Sequence, residues 1–236
     1  MHRPPDNFID VPMAAELADR LAELDADPDC RCVVLASEGK HFCAGANLAG
    51  RLDQATPAAG HIYDHVERLL QLRKPLVAAI QGAAVGAGLG LALLADFRVV
   101  SPQARLSANF TRQGYHPGFG LTFTLPRLLG VQRSTWMFYS GERVGGEDAL
   151  RYGLADRLAP LEGLDEAALE MAREIARSGP RAIVETRASL RGDFAERFLQ
   201  ALRRERAIQD ELRATEDYRE GVTAMKQRRL PIFNNR

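Results

Sequence analysis

Cysteine is scarce in this chain and odd in number: Cys30, Cys32 and Cys43 in 236 residues. Three thiols do not make a disulfide framework, and Cys30-x-Cys32 has no second pair with which to complete a zinc site. A reduced, cytosolic protein is the expectation from that usage. Charge of one sign is lacking too. Lys+Arg and Asp+Glu number 31 each, a formal net charge of zero, so no global field draws the chain to nucleic acid or to a membrane surface. The opening MHRPPDNFIDV carries neither an apolar signal core nor a cleavage pattern.

An unbroken hydrophobic run of membrane-spanning quality is also missing, although one stretch comes near. Between Pro75 and Ala95 there is no charged residue, a length at the bilayer threshold. Gln81 and the glycines at 82, 86, 88 and 90 interrupt it. LVAAI (76–80) reads as a buried strand, Gln81-Gly82 as a break and 87–95 as a short buried helix.

What is present is the composition of a soluble globular protein, 46% hydrophobic and 26% charged, long enough for a full core. Residues 12–26 place Ala15, Leu17, Leu21 and Leu24 at helical spacing. A buried strand is expected over 32–36. An amphipathic helix is expected over 59–73, ended by Lys74-Pro75, and a third strand over 97–100. Helix and strand alternate with short joins, which predicts an α/β fold with a largely parallel sheet. Beyond residue 130 the pattern turns helical, with helices expected over 133–140, 147–152, 165–177, 180–191, 194–213 and 216–228. Phe194, Phe198 and Leu202 recur every fourth position in the long one, with Ile208 and Leu212 continuing the face.

The glycine stretch fits neither phosphate-binding pattern. Gly86-x-Gly88-x-Gly90 lacks the G-x-G-x-x-G spacing and no Gly-Lys-Ser/Thr follows. A strand, a tight turn and the first amides of a helix remain. Those unpaired donors suit a developing negative charge, as in an oxyanion hole that needs a second donor. The loop after the preceding strand, GKHFCAGANL (39–48), could supply it, because strand-end loops of a parallel sheet face a common crevice.

VVLASEGKHFCAGANL, KPLVAAIQGAAVGAGLGLALLADFRVV, HPGFGLTFTLPRLLG, SGERVGGEDALRYGLADRLAP and TEDYREGVTAMKQRR follow one another through the chain. In that order they resemble the crotonase superfamily, the enoyl-CoA hydratase/isomerase family, over nearly the whole length. The resemblance implies a crotonase-like β-β-α spiral over 1–190 and a helical C-terminal region over 191–236 that mediates trimers, often paired into hexamers. The family's N-terminal hairpin is expected to be absent or shortened, because Met1 lies almost at the PPDNFIDV turn. It also implies an acyl-CoA thioester as substrate, with no permanent cofactor and no metal. Carried over by position, the two enolate-binding amides fall on Ala46 and Ala87. Phe42, Ala44, Ala46 and Leu48 fall at the coenzyme A subsite, with Lys40, Lys226 and Arg229 as candidate phosphate contacts.

In hydratases of that family two glutamates serve as acid and base. Their positions here are Gly90 and Phe110, and neither residue can transfer a proton. A standard two-glutamate hydration is therefore not expected; decarboxylation or C–C cleavage asks less of protein acids. His116 is the candidate acid/base; hydrogen bonding to nearby backbone is its other reading. Tyr115 reads as packing, and Arg112 is a candidate partner for a substrate carboxylate. His61 and His65, four apart on one helix, lack a third ligand for a metal. Asp53 and Asp64 read as solvated, Asp148 as a helix-start residue and Glu142 as surface. Asn47 stands where the family usually has Asp. Two functional classes follow: an acyl-CoA-processing lyase or isomerase, or a catalytically silent acyl-CoA-binding or scaffold subunit.

Overall fold

The computed structural model describes residues 1–46 and 60–236. Asn47, Leu48 and Asp53 lie outside the described residues. The expected α/β alternation holds. Strands β1 (Val33–Leu35), β2 (Leu76–Ile80), β4 (Phe97–Val100) and β7 (Arg157–Leu158) form a sheet in the order β1-β2-β4-β7. All of its pairings are parallel, with Val33 opposite Leu76, Val77 opposite Phe97 and Val99 opposite Arg157. β2 is buried along its whole length because both faces of the sheet are covered. Ala78 and Ile80 enter the main core. Val77, Ala79 and Val99 meet Leu164, Ala168 and Ala172 of helix α6 (Leu164–Ala176) on the other side.

A second, smaller sheet sits beyond the ends of the first. β3 (Ala83–Val85) pairs parallel with β5 (Arg105–Ser107), and β5 pairs antiparallel with β6 (Val144–Gly145). Neither β3 nor β5, three residues each, was expected.

Several boundaries differ from expectation. Helix α1 (Val11–Ala26) is capped by Asp10, whose side chain accepts from the Met13 amide, and it buries Met13, Ala14, Ala18 and Leu21; Leu24 is exposed. Helix α2 runs only Ile62–Leu69. Its predicted last turn is lost because the Asp25 carboxylate takes the amides of Arg73 and Lys74 at 2.9 and 3.2 Å. Helix α3 (Ala87–Ala92) is shorter than expected. Helix α4 spans Leu121–Ser140, with Pro126 inside and a break at Gly130, where φ is 72°. Those two residues hid its first half.

The later helices α5 (Gly146–Tyr152), α7 (Pro180–Arg191), α8 (Phe194–Leu212) and α9 (Glu216–Lys226) lie close to expectation. On α8 the fully buried face runs Phe198, Leu202, Glu205, Gln209; Leu212 packs partly buried against the core, whereas Ile208 does not join it. Phe198 and Leu202 join the same core as β2, as do Tyr218 and Val222 of α9. Among the described residues no helix is long and apolar enough to cross a membrane, and all three cysteines are free thiols.

Candidate active site

The chain after β1 and the chain after β2 run side by side. Phe42 N donates to Gln81 O at 2.9 Å, Cys43 N to Ala83 O at 3.0 Å and Val85 N to Cys43 O at 3.1 Å, with Cys43 and Ala84 in parallel register. Each segment then ends on a glycine of positive φ, Gly45 at 100° and Gly86 at 55°. Such backbone is costly for any residue with a Cβ, and a Cβ on Gly45 would also lie 2.8 Å from Val85 O. The turn takes the next peptide out of the ladder. Those next residues are Ala46 and Ala87, and both line one cleft. Among the described residues neither of their amides has a hydrogen-bond acceptor.

The cleft encloses about 60 Å³ and its inner walls are apolar. Val85, Phe110 and Phe119 contribute to them. Positions 90 and 110 are the two that the resemblance matches to carboxylates. At 110 a phenylalanine ring approaches Gly86, 3.5 Å from where a Cβ would stand. At 90 a Cβ would come within 2.7 Å of Phe119 Cβ and Cδ1, so the aromatic side chain holds the space that a larger residue there would need. Among the described residues lining the cleft there is no aspartate or glutamate.

Polar groups also line the cleft, and helix α8 organises them. Tyr63 Oη accepts from the Phe119 amide at 2.9 Å and donates to Gln209 Oε1 at 3.1 Å. Gln209 Nε2 donates to His116 O at 2.9 Å. Burial pushes the Tyr63 phenol well above its ordinary range, so it is a neutral hydrogen-bonding group at physiological pH. Arg213 Nε donates to Tyr115 Oη at 2.8 Å, and Gln113 Nε2 lies 3.2 Å from Met225 Sδ. One turn up α8 from Gln209, the buried Glu205 carboxylate accepts from Gly120 N at 2.7 Å, Thr122 N at 2.9 Å and Thr122 Oγ1 at 2.6 Å. Those bonds hold it down less than burial raises it, and it sits at about 7. Tyr63, Glu205, Gln209 and Arg213 were not singled out from sequence. A glutamate and a glutamine at core spacing after Phe198 and Leu202 were the available signal.

Other expected residues are dispersed. His116 is not among the cleft residues: its Nδ1 lies 2.7 Å from Pro117 O, the backbone role that was its other reading. The backbone of Phe42 is spent within the protein, its amide on Gln81 O and its carbonyl on Ser37 Oγ at 2.7 Å. Ala44 donates its amide to Asp6 O at 2.9 Å, and it lines the cleft. Lys40 and Lys226 are exposed. Arg229 is held by both oxygens of Glu220, at 2.5 and 2.7 Å, so its charge is already met. Arg112 is exposed outside the cleft, with Nε on Ser140 O at 2.8 Å.

Asp64 is not simply solvated. It caps His61 N at 2.9 Å, pairs with Arg206 at 3.1 Å, and is lowered chiefly by the His61 amide. Asp148 lies in the first turn of α5 but caps no amide there. Glu142 is half-buried and accepts from Trp136 Nε1 at 3.0 Å. No group of three metal-ligating side chains occurs among the described residues.

Comparison with known proteins bears on this geometry. The protein-family model described as enoyl-CoA hydratase/isomerase matches residues 1–236. The "Probable enoyl-CoA hydratase EchA14" of Mycobacterium tuberculosis is 38% identical over 189 residues, 78% of this chain and 73% of the relative. The "1,2-epoxyphenylacetyl-CoA isomerase" of Escherichia coli is 30% identical over 238 residues, 98% of this chain and 91% of the relative. A crystal structure of an enoyl-CoA hydratase/isomerase from Pseudoalteromonas atlantica superposes with a TM-score of 0.88 at 26% identity, covering 96% of this chain and 90% of that one.

Proposed function

Since the chain belongs to the enoyl-CoA hydratase/isomerase family of the crotonase superfamily and is an enzyme of it, we propose that it processes an acyl-CoA by stabilising the thioester enolate between the Ala46 and Ala87 amides. The observation that carries this reading is that two alanines from separate loops, each behind a positive-φ glycine, line one cleft with their amides unengaged among the described residues. As the α carbon loses a substituent or a proton, charge moves onto the thioester oxygen. Two fixed N–H donors favour that charged state over the neutral carbonyl, and an apolar surround strengthens them. Helix α3 has only six residues, so the directed amides matter here more than a helix dipole.

That the described residues lining the cleft include no carboxylate supports a reaction other than two-glutamate hydration. Apolar walls at Phe110 and Phe119 suit a substrate that carries its own leaving group, as in decarboxylation or C–C cleavage, where the electron pair left on carbon delocalises onto the held oxygen. We place the coenzyme A near Ala44, which lines the cleft, with Lys40 and Lys226 as phosphate contacts. A homotrimer or a dimer of trimers is the expected assembly, and the exposed Val131, Trp136 and Tyr139 of α4 are consistent with a contact between copies.

The test uses Ala87→Pro. Residue 87 is the first of α3, where proline is best tolerated in a helix, and proline removes the N–H. Turnover of an acyl- and enoyl-CoA panel, followed by mass spectrometry, should fall by roughly 10²–10³ with acyl-CoA binding retained. His116→Ala, outside the cleft, should leave turnover near the parent value. Equal rates for Ala87→Pro and parent would remove the amide from the mechanism.

A further inference from the structure

We propose that Arg213 selects the acyl group, and that the cleft takes acyl thioesters bearing a second carboxylate, which the guanidinium receives. This rests on the acyl-thioester reading above. Arg213 ends α8 and is the lysine or arginine among the described residues lining the cleft. Arg213 is 33% exposed; the more deeply buried guanidinium groups are committed, Arg98 to Asp156 at 3.1 Å, and Arg187 and Arg191 to Asp96 at 2.8 and 3.0 Å.

The commitment of Arg213 is weaker and partly neutral. Its Nε is fixed by Tyr115 Oη at 2.8 Å, and its Cζ lies 5.6 Å from the Tyr115 ring centre. A phenol orients the guanidinium without neutralising it. The one carboxylate paired with it is Asp210, 3.2 Å from Nη1 and 54% exposed. A pair three residues apart on a helix surface contributes little and yields readily. Nη2 has no hydrogen-bond partner among the described residues. Nη1 and Nη2 form the edge of the fork that matches a carboxylate with two parallel bonds.

The surroundings favour the same ligand. Tyr115, Phe110 and Phe119 are buried apolar surface, where a charge pair attracts more strongly than in water. Among the described residues lining the cleft there is no aspartate or glutamate to oppose an incoming anion. Gln113 is held by a thioether, a weak acceptor, so its amide can turn to a carboxylate oxygen at little cost. A plain hydrocarbon chain would instead face the cation and desolvate it without compensation.

Binding should be measured by calorimetry, because it does not require the reaction to be known. Succinyl-, glutaryl- and adipyl-CoA are each paired with butyryl-, valeryl- and hexanoyl-CoA, and the parent is compared with Arg213→Gln, Arg213→Lys and Arg112→Gln. At one chain length at least, the dicarboxylic thioester should bind tenfold or more tightly than its match, equivalent to about 1.4 kcal/mol. That preference should vanish in Arg213→Gln, survive in part in Arg213→Lys and be unchanged in Arg112→Gln. Tighter binding of the monocarboxylic member at every length would overturn the assignment while leaving the acyl-thioester reading intact. So would a preference that persists in a folded Arg213→Gln protein. Failure of all six thioesters to bind the parent would overturn both.

Discussion

A methyl group on Gly90 would stand 2.7 Å from Phe119, so the glycine is the complement of an aromatic ring twenty-nine positions away. Glu205 shows the same dependence with a charge involved. It is 1% exposed, and burial raises it from an ordinary 4.5 to about 7. Below about 4.5 both the folded and the unfolded chain hold its proton, and the group adds no pH dependence. Between 4.5 and 7 the unfolded chain releases the proton while the folded one keeps it, so stability falls as pH rises; above 7 the loss is complete. Glu205→Gln removes the ionisation. Thermal midpoints at pH 5 and pH 8 should therefore change less in the variant, in the downward direction, than in the parent. A parent midpoint that rises from pH 5 to 8 relative to the variant would contradict this account.

Among the elements, α7 is the clearest case of attachment without a core. It has no buried residue. Arg187 and Arg191 reach the Asp96 carboxylate, Arg187 also donates to Leu72 O at 2.5 Å and Arg191 to Leu94 O at 2.8 Å. Asp96 at the same time accepts from the β2 amide of Leu76 at 2.8 Å. One carboxylate thus ties a surface helix to the central sheet. Asp96→Asn leaves two partly buried cations short of their counter-charge, which typically costs about 3–5 kcal/mol. The expected readout is faster amide exchange across residues 180–191, with the amides of β2 less affected. Uniform loss of protection over the whole chain would show that α7 is not held as a separate element. Helix α4 makes the complementary point: its first turn is capped by Glu205 of α8, a partner that no local capping pattern signals.

For the molecule as a whole, the sheet divides two apolar clusters, and the larger one includes both early and late parts of the chain. Phe198, Leu202, Tyr218 and Val222 share it with Ile80 and Leu106. The boundary expected near residue 190 thus runs through a common core. We expect a single cooperative thermal transition, with far-UV and near-UV circular dichroism coinciding at one midpoint. Two separated transitions would give the 191–236 region a stability of its own.

Periodicity and motif order in the chain determined the strands β1, β2 and β4 and most of the helices. Each of those depends on neighbours in sequence: a run of apolar residues or a cap. The polar wall of Tyr63, Gln209 and Arg213, the capping of α4 and the filling of position 90 by Phe119 were decided only by tertiary structure. A glutamate, a glutamine and an arginine on a helix read as solvent-facing until the partner backbone that buries them is in place. His116 and Arg112 were legible as chemistry-bearing residue types, but burial and hydrogen bonding to groups distant in sequence assigned the cleft to Arg213 instead.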